Sequence, residues 1–281
     1  MNQGTLPVAT APKPRSNGSQ KSNRHRKSNA EKAVSEQEHL SLVLTAAETA
    51  VNILRQNNLP AAIFGSLACK LYGNSRCPKD ADILVLTSAS DITAEILKQL
   101  LVAAAPRLFY LKNSRDPAAT YRILWFRQRP GRRETKVDIL VPGPMSLPLI
   151  PLPRIRWVSG LPLAPFCFIL LHKLKGWADH RDAPEGFKRA RQSTDAADVR
   201  RLLDIVTEMR VLQAAPSWKE DLELFDAELQ ADSVVRVQQY CAEFPGRAKR
   251  WRSLGFDVPE PEAAPADTKV DIVVALDRLN L

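Results

Sequence analysis

Three aspartates and a Gly-Ser step are the residues of this chain whose types and spacing bear on chemistry: Asp80-Ala81-Asp82, Asp138 and Gly65-Ser66. Each borders an apolar run, residues 61–64 before Gly65, 83–86 after Asp82 and 137–141 around Asp138. Short apolar runs bounded by polar residues and turn formers read as buried strands. Side chains alternate along a strand, so Asp80 and Asp82 project from one face. With Asp138 on a neighbouring strand, three carboxylates gather, and their repulsion calls for a cation among them. Hard oxygen ligands select Mg²⁺ or Mn²⁺, and magnesium commonly completes its shell with water and substrate phosphates. Gly65-Ser66 falls where a strand hands over to a helix. Backbone N–H groups and the helix dipole favour phosphate there, glycine admits a close approach, and Ser66 adds a hydroxyl. The set reads as a site for a nucleoside triphosphate (NTP) with two metal ions clamping the attacking and leaving oxygens.

The elements that must position these residues follow from periodicity. Residues 36–56 repeat apolar positions at three- and four-residue steps with no Gly or Pro, which predicts an amphipathic helix leading into a strand over 61–64. Residues 67–72 read as a short helix ended by Gly73-Asn74, and 82–86 as a strand. Asp91 is the expected N-cap of a helix running to Ala105, with Pro106 closing it. Residues 108–111, 121–126 and 136–141 give three more strands. The expected fold is α/β (α+β), a mixed central sheet carrying all three aspartates with helices around it. Seven prolines between residues 142 and 165 predict an extended connector. Helical patterns over 166–179, 195–209, 218–229 and 233–244 then predict a small helical domain. The expected organisation is a disordered basic leader over 1–35, a catalytic-type domain over 36–145, a connector over 146–165, a helical domain over 166–256, and a linker with a tail over 257–281.

Composition narrows the class. The chain has 281 residues, is 44% hydrophobic, and carries a net charge of +9. Residues 1–32 hold seven Lys and Arg against a single Glu, so most of the excess sits in the leader, where a weak nucleic-acid contact is expected. Cys69, Cys77, Cys167 and Cys241 show neither a C-x-x-C pair nor metal-ligand spacing. The most apolar stretch, 161–171, is about half the ~20 residues a membrane span needs, so no membrane partner is expected. A cytoplasmic location is the default, the nucleus the other option. His172 and His180 read as surface or core-edge residues.

The order Gly65-Ser66, thirteen residues, Asp80-Ala81-Asp82 before an apolar strand, then Asp138, resembles the signature of the DNA polymerase β-like nucleotidyltransferase superfamily. Arg76 ahead of Asp80, then Lys173, Arg181 and Asp195-Ala196-Ala197-Asp198, is similar to the arrangement in the AbiEii-type branch and in uncharacterised fungal proteins like it. The resemblance implies that Asp80, Asp82 and Asp138 bind the metals, with Asp138 helping to deprotonate an acceptor hydroxyl. It further implies that Gly65, Ser66, Arg76 and Lys173 contact the nucleotide, and that Arg181, Asp195 and Asp198 support them. Ala81 stands where a larger apolar residue is common, and Ser66 where many AbiEii-type members have a second Gly. The expected activity is transfer of a nucleoside monophosphate from an NTP to a hydroxyl on tRNA, protein or a small molecule, with release of pyrophosphate. The alternative is a catalytically inactive nucleotide- or nucleic-acid-binding module of the same fold.

Overall fold

A computed structural model describes residues 28–114, 119–209 and 217–259. The chain enters on helix α1 (Asn29–Gln56). Ser28 starts it: its hydroxyl accepts from the Glu31 N–H while the Glu31 carboxylate accepts from the Ser28 N–H, a reciprocal capping box. The helix therefore begins at Asn29 rather than at Glu36, and residues 29–35, expected in the leader, are helical. Its buried stripe of Leu42, Val43, Ala46, Ala47, Ala50, Val51, Ile53 and Leu54 lies against the sheet. Residues 1–27, most of the expected leader, lie outside the described part of the chain, as do residues 260–281 of the tail.

Strand β1 (Ala61–Phe64), helix α2 (Gly65–Leu71) and strand β2 (Asp80–Val85) follow, with Gly73 at φ 109 ending α2. Helix α3 (Ala94–Ala104) is capped by Thr93, whose hydroxyl accepts from the Ile96 N–H, not by Asp91. Strands β3 (Phe109–Asn113), β4 (Arg122–Arg127) and β5 (Glu134–Leu140) complete the first part of the sheet.

The proline-rich stretch departs from the expectation of an extended connector. It carries two 3₁₀ turns and a hairpin of β6 (Arg156–Val158) and β7 (Leu161–Leu163), and β7 pairs in parallel with β1. The sheet thus has seven strands in the order β3-β4-β5-β2-β1-β7-β6. β2 and β5 are parallel neighbours, while β1–β2, β3–β4, β4–β5 and β6–β7 are antiparallel.

Beyond it run α4 (Phe166–Asp182), α5 (Gly186–Arg189), α6 (Gln192–Met209), α7 (Ala227–Glu243) and α8 (Ala248–Ser253). The two helices expected over 218–229 and 233–244 are one helix, α7, preceded by turns: Asp226 caps it by accepting from the Leu229 N–H. Trp218 instead stacks on Phe256 at a ring separation of 4.0 Å. Helix α4 packs against α2, α6 and α7, and its Phe168 contacts Phe64 at the end of β1, so one apolar core joins the sheet to the helices. No helix among the described residues is long and apolar enough to cross a membrane.

Candidate active site

The two aspartates of β2 and the one of β5 meet through strand register. Asp82 lies directly opposite Asp138 on the parallel pair β2–β5, and Asp80 lies opposite Lys136. Alternation along both strands buries Ala81, Ile83, Val137 and Ile139 on the side of α1 and α3, which leaves Asp80, Asp82, Lys136 and Asp138 together on the other face. On the opposite flank of β2, Phe64 is the register partner of Asp82, so Gly65 begins α2 immediately over that carboxylate.

This approach explains the glycine. Gly65 has φ +59, and a Cβ built there would overlap the Asp82 carboxylate, its Cγ only 2.7 Å away. The backbone N–H of Ser66 donates to the same carboxylate. The expected phosphate cradle is therefore partly engaged within the protein, and α2 is only two turns long. The Ser66 hydroxyl is buried and has no hydrogen-bond partner among the protein's atoms.

Burial, followed by the charges of Asp80 and Asp138, pushes the Asp82 carboxyl from 3.8 up to about 7. Lys173 and the Ser66 N–H pull the other way without cancelling the rise. Burial also raises Asp138, with Asp80 adding to the rise and Lys136 opposing it. Burial is thus the main cost of charge on this face. Among the described residues no group of three or more His, Cys, Asp or Glu side chains is arranged to hold a metal ion by itself. The donors present nevertheless suit Mg²⁺ or Mn²⁺ in type, because such an ion takes part of its shell from one or two carboxylates and the rest from phosphate oxygens and water.

The cations expected at the nucleotide are engaged by the aspartates of α6. Arg76 grips Asp198 with both arms of its guanidinium, Nε to Oδ1 at 2.8 Å and Nη2 to Oδ2 at 2.5 Å, and the Asn74 amide donates to Oδ1 at 2.9 Å. Lys173, on α4, pairs with Asp198 at 3.1 Å and Asp195 at 3.5 Å. Burial works against the Lys173 charge. The Cys69 thiol beside it is pushed up to about 12 by its own burial and is neutral, so the two carboxylates of α6 are what hold the ammonium charged. Burial likewise opposes charge on Asp198, and Arg76 and Lys173 overcome it to hold that carboxyl below its ordinary range.

Asp195 has a further partner in His180, whose Nδ1 lies 2.7 Å from Oδ2. Sequence reasoning gave His180 no role and named Asn74 only as a helix-ending signal. Neither has a local motif, and tertiary contact alone brings them to α6. Arg181 has other partners: it pairs with Asp182, donates to Gln239, and lies over the Trp177 ring. His172 lies half-buried against Phe64 and Phe168, and burial lowers its pKa to about 4.

No family model matches the chain, and no curated protein matches it. Among solved structures, the crystal structure of an antigenic nucleotidyltransferase-like protein from Paracoccidioides brasiliensis superposes with a TM-score of 0.53 at 17% identity, over 79% of this chain and 94% of that one. The chain has a nucleotidyltransferase-like fold. The solution structure of the antibiotic-resistance factor ANT(2'')-Ia aligns over 64% of this chain and 95% of its own, at 11% identity, with a TM-score of 0.34. Within the nucleotidyltransferase-like fold, the carboxylate face lies where β2, β5 and the start of α2 meet.

Proposed function

We propose that the protein is a divalent-metal-dependent nucleotidyltransferase that moves a nucleoside monophosphate from an NTP to an acceptor hydroxyl, releasing pyrophosphate. The observation that carries this reading is the direct pairing of Asp82 with Asp138 on adjacent parallel strands, with Asp80 on the same face and Gly65 pressed against Asp82. Asp80, Asp82 and Asp138 would hold Mg²⁺ or Mn²⁺, which when bound neutralises phosphate charge and positions the phosphoryl oxygens. The orphaned Ser66 hydroxyl supplies a donor for a phosphate oxygen. Asp138, directly opposite Asp82, would help to take the acceptor proton at its carboxylate. All four cysteines are free thiols, in keeping with a cytoplasmic or nuclear setting.

The test is transfer of label from each NTP into total RNA, total protein or small molecules in the presence of Mg²⁺. Asp82→Asn lowers that transfer on the order of a thousandfold or more while thermal unfolding stays cooperative. Undiminished transfer by a folded Asp82→Asn protein refutes the proposal.

One observation favours a second reading, a nucleotide-binding module without turnover: Asp195 and Asp198 already engage both cations that the resemblance assigns to the nucleotide, Arg76 and Lys173. Calorimetric titration with NTPs, with and without Mg²⁺, separates the two. Metal-dependent binding with no labelled product in any pool supports the second.

A further inference from the structure

The sheet face that carries the aspartates continues past them, and its next two strands change character. β4 turns Leu124 and Phe126 into the core, leaving Ile123, Trp125 and Arg127 on the aspartate side, and β3 contributes Tyr110 and Lys112 to that side. Register lines these residues up with the site: Tyr110 opposite Trp125, Trp125 opposite Lys136, and Lys136 opposite Asp80. At the usual strand spacing, Trp125 stands about 10 Å and Tyr110 about 14 Å from the Asp80 strand. Helices α1 and α3 pack on the opposite face of these strands.

The row consists of aromatic rings interleaved with cations. The Lys112 ammonium lies 4.3 Å from the Trp125 ring centroid and the Arg127 guanidinium 4.4 Å from that of Tyr110. The polar capacity is lopsided toward donation. Trp125 Nε1 and Arg127 Nε are buried with no hydrogen-bond partner among the protein's atoms, while Lys112 and Lys136 add ammonium donors. Glu134 is the carboxylate of this patch, and Tyr110 and Lys112 already occupy it. A face of flat rings, cations and unpaired donors fits a ligand with flat rings, negative charge and many acceptor oxygens.

Building on the nucleotidyltransferase reading, we infer that the partly exposed aspartate-side face of β3 and β4 binds the acceptor, and that the acceptor is the end of a single-stranded nucleic acid. Its bases lie on Tyr110 and Trp125, its phosphates meet Lys112, Arg127 and Lys136, and its terminal hydroxyl reaches Asp138. A double helix is not accommodated in this way, because its bases are stacked on one another.

The test uses the full chain carrying Asp82→Asn, so that binding is read without turnover, and a fluorescent single-stranded RNA of about 12 nucleotides, within the site sizes of such platforms. Anisotropy is expected to show binding that weakens with salt and with each platform change. Trp125→Leu costs about tenfold in affinity from lost stacking, and Lys112→Gln reduces the slope of log affinity against log salt by about 1. In the unmodified protein, photo-cross-linking with thiouridine-substituted RNA maps to residues 109–113 and 122–127, which keeps the inference falsifiable should Trp125→Leu fail to fold. Unchanged affinity in both folded variants, duplex RNA binding as tightly as single strands, cross-links confined to residues 1–32, or label transferred only to protein or a small molecule each overturns it. Failure of the enzymatic reading looks different: RNA binds and cross-links at the platform, yet no label moves.

Discussion

Asp82 is surrounded by what raises its free energy when ionised: partial burial, two neighbouring carboxylates, and a glycine whose missing Cβ lets the chain close over it. Because its folded pKa of about 7 exceeds the ordinary 3.8, the native state holds this proton more tightly than the unfolded chain does. Its contribution to metal-free stability is therefore complete below about pH 4 and is lost as pH rises toward 7 and above. Urea unfolding in EDTA should show that decline, by a few kcal/mol at most, and Asp82→Asn should flatten it and raise the midpoint at pH 8. Gly65→Ala faces both the clash and a left-handed backbone conformation, so it should cost about 2–4 kcal/mol in the same assay and abolish transfer. A Gly65→Ala protein as stable as the parent would mean that α2 is free to retreat from Asp82.

The telling contacts between elements are those of α4 and α6 with the loop after α2. Asp198 on α6 receives Asn74 and Arg76 from that loop and Lys173 from α4, and it is buried. Removing it leaves two cations facing each other in a poorly solvated place. Asp198→Ala should therefore destabilise by about 3–5 kcal/mol, measured by denaturant titration, and Asp198→Asn by less, since the amide retains an acceptor oxygen. If Arg76 and Lys173 reach phosphate only after leaving Asp198, a folded Asp198→Asn protein binds NTP more tightly than the parent. The capping box at Ser28 and Glu31 is another device of this scale, and it sets where α1 begins, in sequence otherwise read as tail.

At the scale of the whole molecule, the β6–β7 hairpin brings the proline-rich stretch into the sheet, and α4 follows directly from it onto α2. Trp177 and Trp251 are buried among the helices while Trp125 sits on the sheet, and a contiguous apolar core runs between the two regions. Unfolding should accordingly be a single transition, with tryptophan fluorescence and far-UV circular dichroism coincident in urea. Two separated transitions would show that the domains expected over 36–145 and 166–256 fold independently.

Short apolar runs bounded by polar residues place β1 at its observed bounds and β2, β4 and β5 to within two residues at either end, and the two-residue period puts Asp80 and Asp82 on one face, because both signals are local. The Ser28-x-x-Glu31 box is also a local signal, and it starts α1 inside a stretch whose basic composition reads as a leader. That β2 and β5 are parallel neighbours with Asp82 opposite Asp138 was decided only by the tertiary structure. So were the joining of β7 to β1, the meeting of Asn74, Arg76, Lys173 and His180 on two aspartates of α6, and the pairing of Arg181 with Gln239. Each depends on contacts between residues far apart in the chain, which no local period encodes. The sequence by itself determined which side chains share a strand face; the packing of that sheet determined which of them meet.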